Sequence, residues 1–428
     1  MYKFVFLLAL SIGLALAKHE EYDGSLVYQV KVSNVEQAQQ IYALENKLGL
    51  DMWSYAAPSS PGLVLVPGPM RQRFQTEVAA LGAQYELQIQ NVKEAIELEE
   101  KLLATAASRN SSRSGRLTLD KIHRYAEINA YLDELAEKYE TVTVESAGKS
   151  FEGRDIRYLK ISTSKFEDLS KPVVVVQSML HAREWVTLPA ALYAIEKLVV
   201  DISDRDLVDK IDWIIIPIAN PDGYEFSHTN TRFWRKNRST GHIIGNLCQG
   251  VDLNRNFDIN FGSLSSSNPC SETFHGPGPF SEPESLAIRN IVLGNMNRIE
   301  LYLDIHSFGS LILYGYGNGD LPANALTLNV VGVRMAQAID AVKWESKPNY
   351  RVGNVALILY RVSGSAPDYV QAIGIPLAYT YELPAYRNQN NSLNGFLVDP
   401  DFIEQAGVET WEGIKAGAKW VLQNTRRK

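Results

Sequence analysis

Side chains able to bind a metal or move a proton stand behind runs of β-branched and aromatic residues. The run VVVVQS, from Val173 to Ser178, is followed at once by His181, Arg183 and Glu184. LYLDI leads into His306, and LAYTY leads into Glu382. A lone histidine at a strand end is usually a structural hydrogen-bonding group. Here the chain holds seven histidines, two stand at such ends, and Glu184 lies three residues from His181. Two imidazoles and a carboxylate form the donor set of a catalytic zinc site with an open coordination position. The same donors also serve non-haem iron. A hydrolytic centre needs a base for the attacking water and a cation for the developing oxyanion. Glu382 is a candidate base, against the alternative of a surface carboxylate at a strand exit. Cations are concentrated in Arg232-Phe233-Trp234-Arg235-Lys236-Asn237-Arg238. Such a run is ordinarily a solvated face, and its interleaved aromatics could stack on nucleic-acid bases. In Asp252-Leu253-Asn254-Arg255-Asn256 a planar guanidinium beside an amide suits bidentate capture of a carboxylate.

These groups need rigid elements behind them. The pattern predicts strands at DIRYLKIS, VVVVQS, WIIIPI, LYLDIHS, LILYGY and LAYTYEL. It predicts helices at LDKIHRYAEINAYLDELAEKY, after HAREW, at PESLAIRNIVLGNM and at VETWEGIKAGAKWVLQ. Alternating strands and helices imply a large α/β domain over 117–428, with a mainly parallel or mixed sheet covered on both faces. Sites in such sheets lie at the carboxyl ends of the strands, where these residues stand. Upstream, strand and helix patterns alternate through SLVYQVKV, EQAQQIYALENKLG, GLVLVPG, MRQRFQTEVAALG, QYELQIQN and VKEAIELEEKLLATAA. That suffices for a small α/β sandwich over 18–107. Between the two units SRNSSRSGR (108–116) is a flexible linker with three cleavable arginines, Arg109, Arg113 and Arg116.

Residues 1–17 read as a secretory signal peptide, with Lys3, an apolar run and an Ala15-Leu16-Ala17 cleavage pattern. The mature chain is therefore expected to be extracellular, with no membrane partner. A net charge of −7 argues against general nucleic-acid binding, since phosphate neutralisation needs a basic face. With 45% hydrophobic and 21% charged residues the composition is that of an ordinary globular protein. In a secreted chain the two cysteines, Cys248 and Cys270, suggest one bridge. Asn110, Asn237 and Asn390 open possible glycosylation sites.

Taken together, HAREW, FWRKNR, GVDLNRNFD, PCSETFHGPGPFSEPE, DIHSFG, LYRVSGSAPDY and YTYELP resemble the secreted zinc carboxypeptidases of the pancreatic and digestive A/B type. The likeness runs over nearly the whole chain and in order. It implies a mixed eight-stranded sheet with helices on both faces, preceded by an open-sandwich pro-domain that covers the cleft. It implies one Zn(2+) held by His181, Glu184 and His306, Glu382 as general base, and Arg235 as oxyanion stabiliser. Asn254, Arg255 and Tyr360 would hold the substrate's terminal carboxylate, Arg183 would assist along the neighbouring subsite, and Asp252 would orient His181. Cys248 and Cys270 match the family's disulfide. Expected partners are peptide C-termini, a trypsin-like activating protease and the chain's own pro-domain, and the expected state is a monomer.

The specificity pocket, with Gly317, Val355, Pro367 and Thr380, is neutral, as are Leu359, Val362, Ser365 and Ala366. Relatives that remove Lys or Arg often carry an acid where this chain has Pro367. An uncharged pocket implies release of aliphatic or aromatic residues, although Pro367 departs from the Ile of typical A-type members. Phe308 departs from the Tyr common after the ligand His-Ser, which removes an auxiliary hydroxyl near the transition state. Competing readings are the same fold with B-type or broad specificity, a non-catalytic binder of peptide C-termini, and a different zinc hydrolase such as a deacylase. The last would have no use for Asn254 and Arg255 as a carboxylate clamp.

Overall fold

The four valines of VVVVQS face two different layers. Val174 and Val176 pack with Leu188, Leu192 and Ile195 and with Ile414 and Ala418. Val173 and Val175 pack with Ile288, Ile291 and Val292 and with Ala366 and Val370. Alternation along a strand sends successive side chains to opposite faces, so an unbroken apolar run requires helices on both. The computed structural model describes residues 18–58, 60–110, 117–385 and 393–424. The expected leader (1–17), positions 111–116 of the linker and Asn390 lie outside the described residues.

The N-terminal unit comprises β1 (Leu26–Lys31), α1 (Val35–Leu48), β2 (Asp51–Ser54), β3 (Gly62–Val66), α2 (Arg71–Ala80), β4 (Gln84–Ile89) and α3 (Val92–Asn110). Its antiparallel sheet has the order β2-β3-β1-β4. Asn34 caps α1 by accepting the Gln37 N–H at 2.8 Å, and Gly49 closes it with a left-handed φ of 62°. The last residues of α3 are the start of the expected linker, so the helix runs further than its apolar pattern.

The second unit holds α4 (Tyr125–Lys138), β5 (Val142–Lys149), β6 (Asp155–Ile161), β7 (Val173–Ser178), α5 (Thr187–Val199), α6 (Arg205–Asp209), β8 (Asp212–Ile216) and α7 (Pro221–Thr229). After these come α8 (Pro283–Asn295), β9 (Ile299–Ser307), β10 (Leu311–Tyr314), α9 (Ala325–Asp340), β11 (Arg351–Asn354), α10 (Val355–Ile358), α11 (Ala366–Ala372), β12 (Leu377–Leu383) and α12 (Pro400–Asn424). The eight-stranded sheet runs β11-β10-β12-β9-β7-β8-β6-β5. Its centre, β12-β9-β7-β8, is parallel, while β10 joins β12 and β6 joins β8 antiparallel.

Some expectations need correction. A helix was predicted over 119–139, yet α4 begins at Tyr125. The Arg124 N–H donates to the Glu127 carboxylate at 2.9 Å and starts the helix there, while buried His123 is tied to the Thr118 carbonyl at 2.6 Å. β5 and β11 escape the pattern because edge strands with exposed polar residues lack a clean alternation. Asn237 does not suit glycosylation: it is buried, and its Nδ2 donates to Glu282 at 2.7 Å and to Glu284 at 3.0 Å. Cys248 and Cys270 are disulfide-bonded, with Cα atoms 4.9 Å apart.

Candidate metal centre and substrate cleft

His181 and Glu184 sit on the connection from β7 to α5. Several backbone bonds hold that connection in place. The Ala182 N–H donates to the Arg235 carbonyl at 3.0 Å, and Asn220 Nδ2 reaches the Leu180 and Lys236 carbonyls at 3.2 and 3.1 Å. Thr187 Oγ1 donates to the Glu184 carbonyl at 2.8 Å, closing the first turn of α5. His306 comes from β9, the parallel neighbour of β7. Glu382 comes from β12 and pairs in register with His306, so the two emerge side by side.

His181 Nδ1 is 2.8 Å from Glu184 Oε1, and His306 Nδ1 is 3.0 Å from Glu184 Oε2 and 3.1 Å from His181 Nδ1. The far nitrogens face carboxylates: His181 Nε2 lies 3.0 Å from Asp252 Oδ1, and His306 Nε2 lies 2.9 Å from Asp304 Oδ2. With the His181 Nε2 proton directed at Asp252, its Nδ1 presents a lone pair, and the nearness of Asp304 to His306 Nε2 favours the same orientation there. Three buried lone-pair donors within 4.8 Å of one another then face a common point, an arrangement that a cation resolves. Two imidazoles and a carboxylate fit zinc. Although burial opposes its charge, His181 and His306 hold the Glu184 carboxyl well below the usual range.

Burial pushes Glu382 up to about 8; Glu184 adds to the rise and His306 opposes it. Arg235 donates through Nε and Nη2 to Asp252 Oδ2 at 3.2 and 2.9 Å, and its Nη1 stands 3.9 Å from Glu184 Oε1. Against its burial, Arg235, Arg255 and His181 keep the Asp252 carboxyl well below its ordinary range. One carboxylate thus orients a ligand and a cation together.

Asn254 and Arg255 lie in the short 3₁₀ turn Leu253–Arg255. Asn254 Oδ1 accepts the Ala366 N–H at 2.8 Å, and Arg255 Nη2 donates to the Tyr360 hydroxyl at 3.1 Å. The cleft that contains the metal set is also lined by Arg183, Asn254, Arg255, Tyr360, Val355, Pro367 and Thr380. Gly317 is next to two of the lining residues, Val362 and Asp368, and its N–H donates to Asp368 Oδ2 at 2.6 Å. Phe308 faces the cleft and meets Phe396 edge-on at 4.9 Å.

The same cleft is lined from the N-terminal unit by Glu45, Met52, Trp53, Ser54 and Tyr55. Both oxygens of Asp51 accept from Arg183 Nη1, at 2.9 and 2.8 Å. The Tyr55 ring packs on Tyr360 at 4.5 Å. Farther out, Arg232 forms a bidentate pair with Glu99 of α3 at 2.7 and 3.0 Å, both side chains buried.

Sequence reasoning missed Asp304, although Asp304 and His306 alternate onto one face of β9 and that spacing was readable. It also missed Asp51, Tyr55 and Glu272, which arrive at the cleft from distant parts of the chain.

Residues 128–413 match the family model described as zinc carboxypeptidase, and residues 28–99 match carboxypeptidase activation peptide. The chain is 43% identical over 424 residues to carboxypeptidase B of Helicoverpa zea, covering 97% of this chain and 98% of the relative. It is 32% identical over 419 residues to carboxypeptidase A2 of Rattus norvegicus, covering 96% of each. The crystal structure of carboxypeptidase A from Helicoverpa armigera superposes with a TM-score of 0.93 at 58% identity, covering 95% of this chain and 100% of that one. The chain therefore belongs to the zinc carboxypeptidase family, with an activation-peptide unit folded over the cleft that holds His181, Glu184 and His306.

Proposed function

We propose that this chain is the secreted, monomeric zymogen of an exopeptidase that removes neutral aliphatic or aromatic residues from peptide C-termini. On this reading 1–17 is the signal peptide, 18–107 the inhibitory pro-domain, 108–116 the linker cut by a trypsin-like protease, and 117–428 the enzyme. The observation that supports it is the convergence in one cleft of the metal set, Glu382, and the carboxylate-binding group Asn254, Arg255 and Tyr360.

Bound at His181, Glu184 and His306, zinc would polarise the scissile carbonyl and make water a stronger acid. Glu382 takes the proton of the attacking water and passes it to the leaving amine. Arg235, held by Asp252, stands ready for the negative charge that grows on the carbonyl oxygen. Arg255, with its amide neighbour and the Tyr360 hydroxyl, selects a chain end. An internal peptide would leave that buried guanidinium without its partner. Neutral walls at Val355, Leu359, Val362, Pro367 and Thr380 favour uncharged side chains. In the intact chain, Asp51 occupies Arg183 and the β2 segment forms one wall of the cleft, which supports inhibition by obstruction.

The test is to cut the linker with trypsin and offer peptides ending in Phe, Leu, Lys and Arg. Phe and Leu should be released fastest, with activity blocked by a chelator and restored by zinc. No release after verified linker cleavage overturns the enzyme reading. Faster release of Lys than of Phe overturns the neutral preference.

A further inference from the structure

Gln177 breaks the apolar run of β7 in the middle of the sheet, and the mechanism above does not use it. On its face of the strand Val173 and Val175 pack into the core, and Gln177 is the next residue to point the same way. In the parallel pairing of β7 with β9 it stands opposite Asp304, while Val175 stands opposite Tyr302. Gln177, Tyr302 and Asp304 are each 0% exposed, so their polar groups need partners within the protein.

Those partners form a line that ends at a metal ligand. The Tyr302 hydroxyl donates to Gln177 Oε1 at 2.9 Å, and Gln177 Nε2 donates to Asp304 Oδ1 at 2.9 Å. A carboxylate only accepts, so the amide must turn its NH2 toward Asp304 and its oxygen toward the phenol. Burial, with Asp304 adding to it, pushes the Tyr302 hydroxyl well above its ordinary range and keeps it a donor. Asp304 Oδ2 is buried with no aligned hydrogen bond, and it lies 2.9 Å from His306 Nε2. A proton on that ring nitrogen relieves the buried charge. A second neighbour pulls the other way. Asn254 Oδ1 accepts the Ala366 N–H at 2.8 Å, which leaves Asn254 Nδ2 3.4 Å from His306 Nε2. An amide NH2 there favours a bare Nε2 and a proton on Nδ1, the atom that faces Glu184 and His181.

We propose that Gln177 and Tyr302 are positioning residues of the metal centre. By fixing Asp304 they settle the His306 proton on Nε2 and leave Nδ1 open to zinc, against the opposing pull of Asn254. Neither touches the metal or the substrate, and both act through Asp304 and His306. The inference rests on the reading of His181, Glu184 and His306 as the zinc ligands, and not on which C-terminal residue is removed. It gives a buried amide and a buried phenol, on two neighbouring strands of the sheet, a part in how tightly the centre holds its ion.

The experiment uses the intact full chain and reads its zinc dissociation constant by competition against a chelator, with Tm followed alongside. Gln177→Met keeps the length of the side chain and removes both hydrogen bonds. It should weaken zinc binding by about 10-fold, the weight of one lost bond to a charged group. Tyr302→Phe removes only the hydroxyl that holds the amide, and should weaken zinc binding by about 3-fold, the low end for a neutral hydrogen bond. In an Asp304→Asn background the carboxylate is already gone, so adding either change should weaken zinc no further. A packing role alone would lower Tm and leave zinc affinity at the wild-type value, or add its full effect to that of Asp304→Asn. Either result overturns the proposal. Should Gln177→Met fail to fold, Tyr302→Phe decides: wild-type affinity overturns the proposal, and a weakening that disappears in the Asp304→Asn background supports it. Failure of the wild-type chain to bind zinc overturns the metal reading and this inference with it. Equal zinc affinity in wild type and in both single variants overturns this inference alone.

Discussion

Asp304 and Asp252 each face the outer nitrogen of a ligand histidine, at 2.9 and 3.0 Å. Their role in holding a tautomer predicts a graded effect rather than loss of the site. Asp304→Asn should weaken zinc binding by about 10- to 100-fold with the fold intact, as read by competition against a chelator. Unchanged affinity would mean that β9 alone orients His306. Glu382 offers a different outcome, because it stands beside the metal set without belonging to it. Glu382→Gln should lower kcat by about 10²- to 10⁴-fold while zinc content stays at one per chain. His181→Ala should lose the zinc as well. Full turnover in the Gln variant would assign the base elsewhere.

Among the elements, the turn Leu253–Arg255 depends on its neighbour in space. The Phe257 N–H donates to the Gly364 carbonyl at 3.0 Å, and the Gly364 N–H donates to Ile259 at 2.9 Å. Gly364 has a φ of 73°, and a Cβ there would meet the Arg255 carbonyl oxygen at 2.2 Å. Close approach and left-handed backbone both require glycine at this point. Gly364→Ala should destabilise the fold by about 1–3 kcal/mol, seen as a lower Tm. It should also raise KM more than it lowers kcat, because it moves Arg255, the proposed carboxylate-binding group, while leaving Glu382 in place.

Across the whole molecule, the two units meet at a cleft and at a buried ion pair. Glu99 takes two bonds from Arg232 and a third, at 2.6 Å, from the Val398 N–H, while Arg232 also donates to the Arg183 and Phe396 carbonyls. Removing one partner of such a pair strands the other charge out of water. Glu99→Ala should therefore weaken docking of the N-terminal unit by about 3–5 kcal/mol. With the linker uncut, this variant should hydrolyse a small C-terminal substrate faster than wild type. After cutting, its pro-segment should leave sooner, as followed by size-exclusion chromatography. Equal basal activity would place the inhibition in the Asp51–Arg183 contact and the β2 segment instead.

The chemistry was legible in the chain because parallel strands deliver their carboxyl ends to one edge. VVVVQS, LYLDIHS and LAYTYEL each announce a buried strand, and each ends in the group that matters. The side chains at those ends needed no knowledge of the packing to be singled out. What the chain could not show is what depends on contacts between residues far apart in number. Asp51 on Arg183, Glu99 on Arg232 and Tyr55 on Tyr360 join the N-terminal unit to residues more than a hundred positions away. The same holds within the pocket, where the Gly317 N–H meets Asp368 Oδ2, fifty-one positions away in the chain. A periodic pattern reports which face a residue takes on its own element. Only the tertiary structure decides which other element that face meets, and so which carboxylate, cation or ring completes the site.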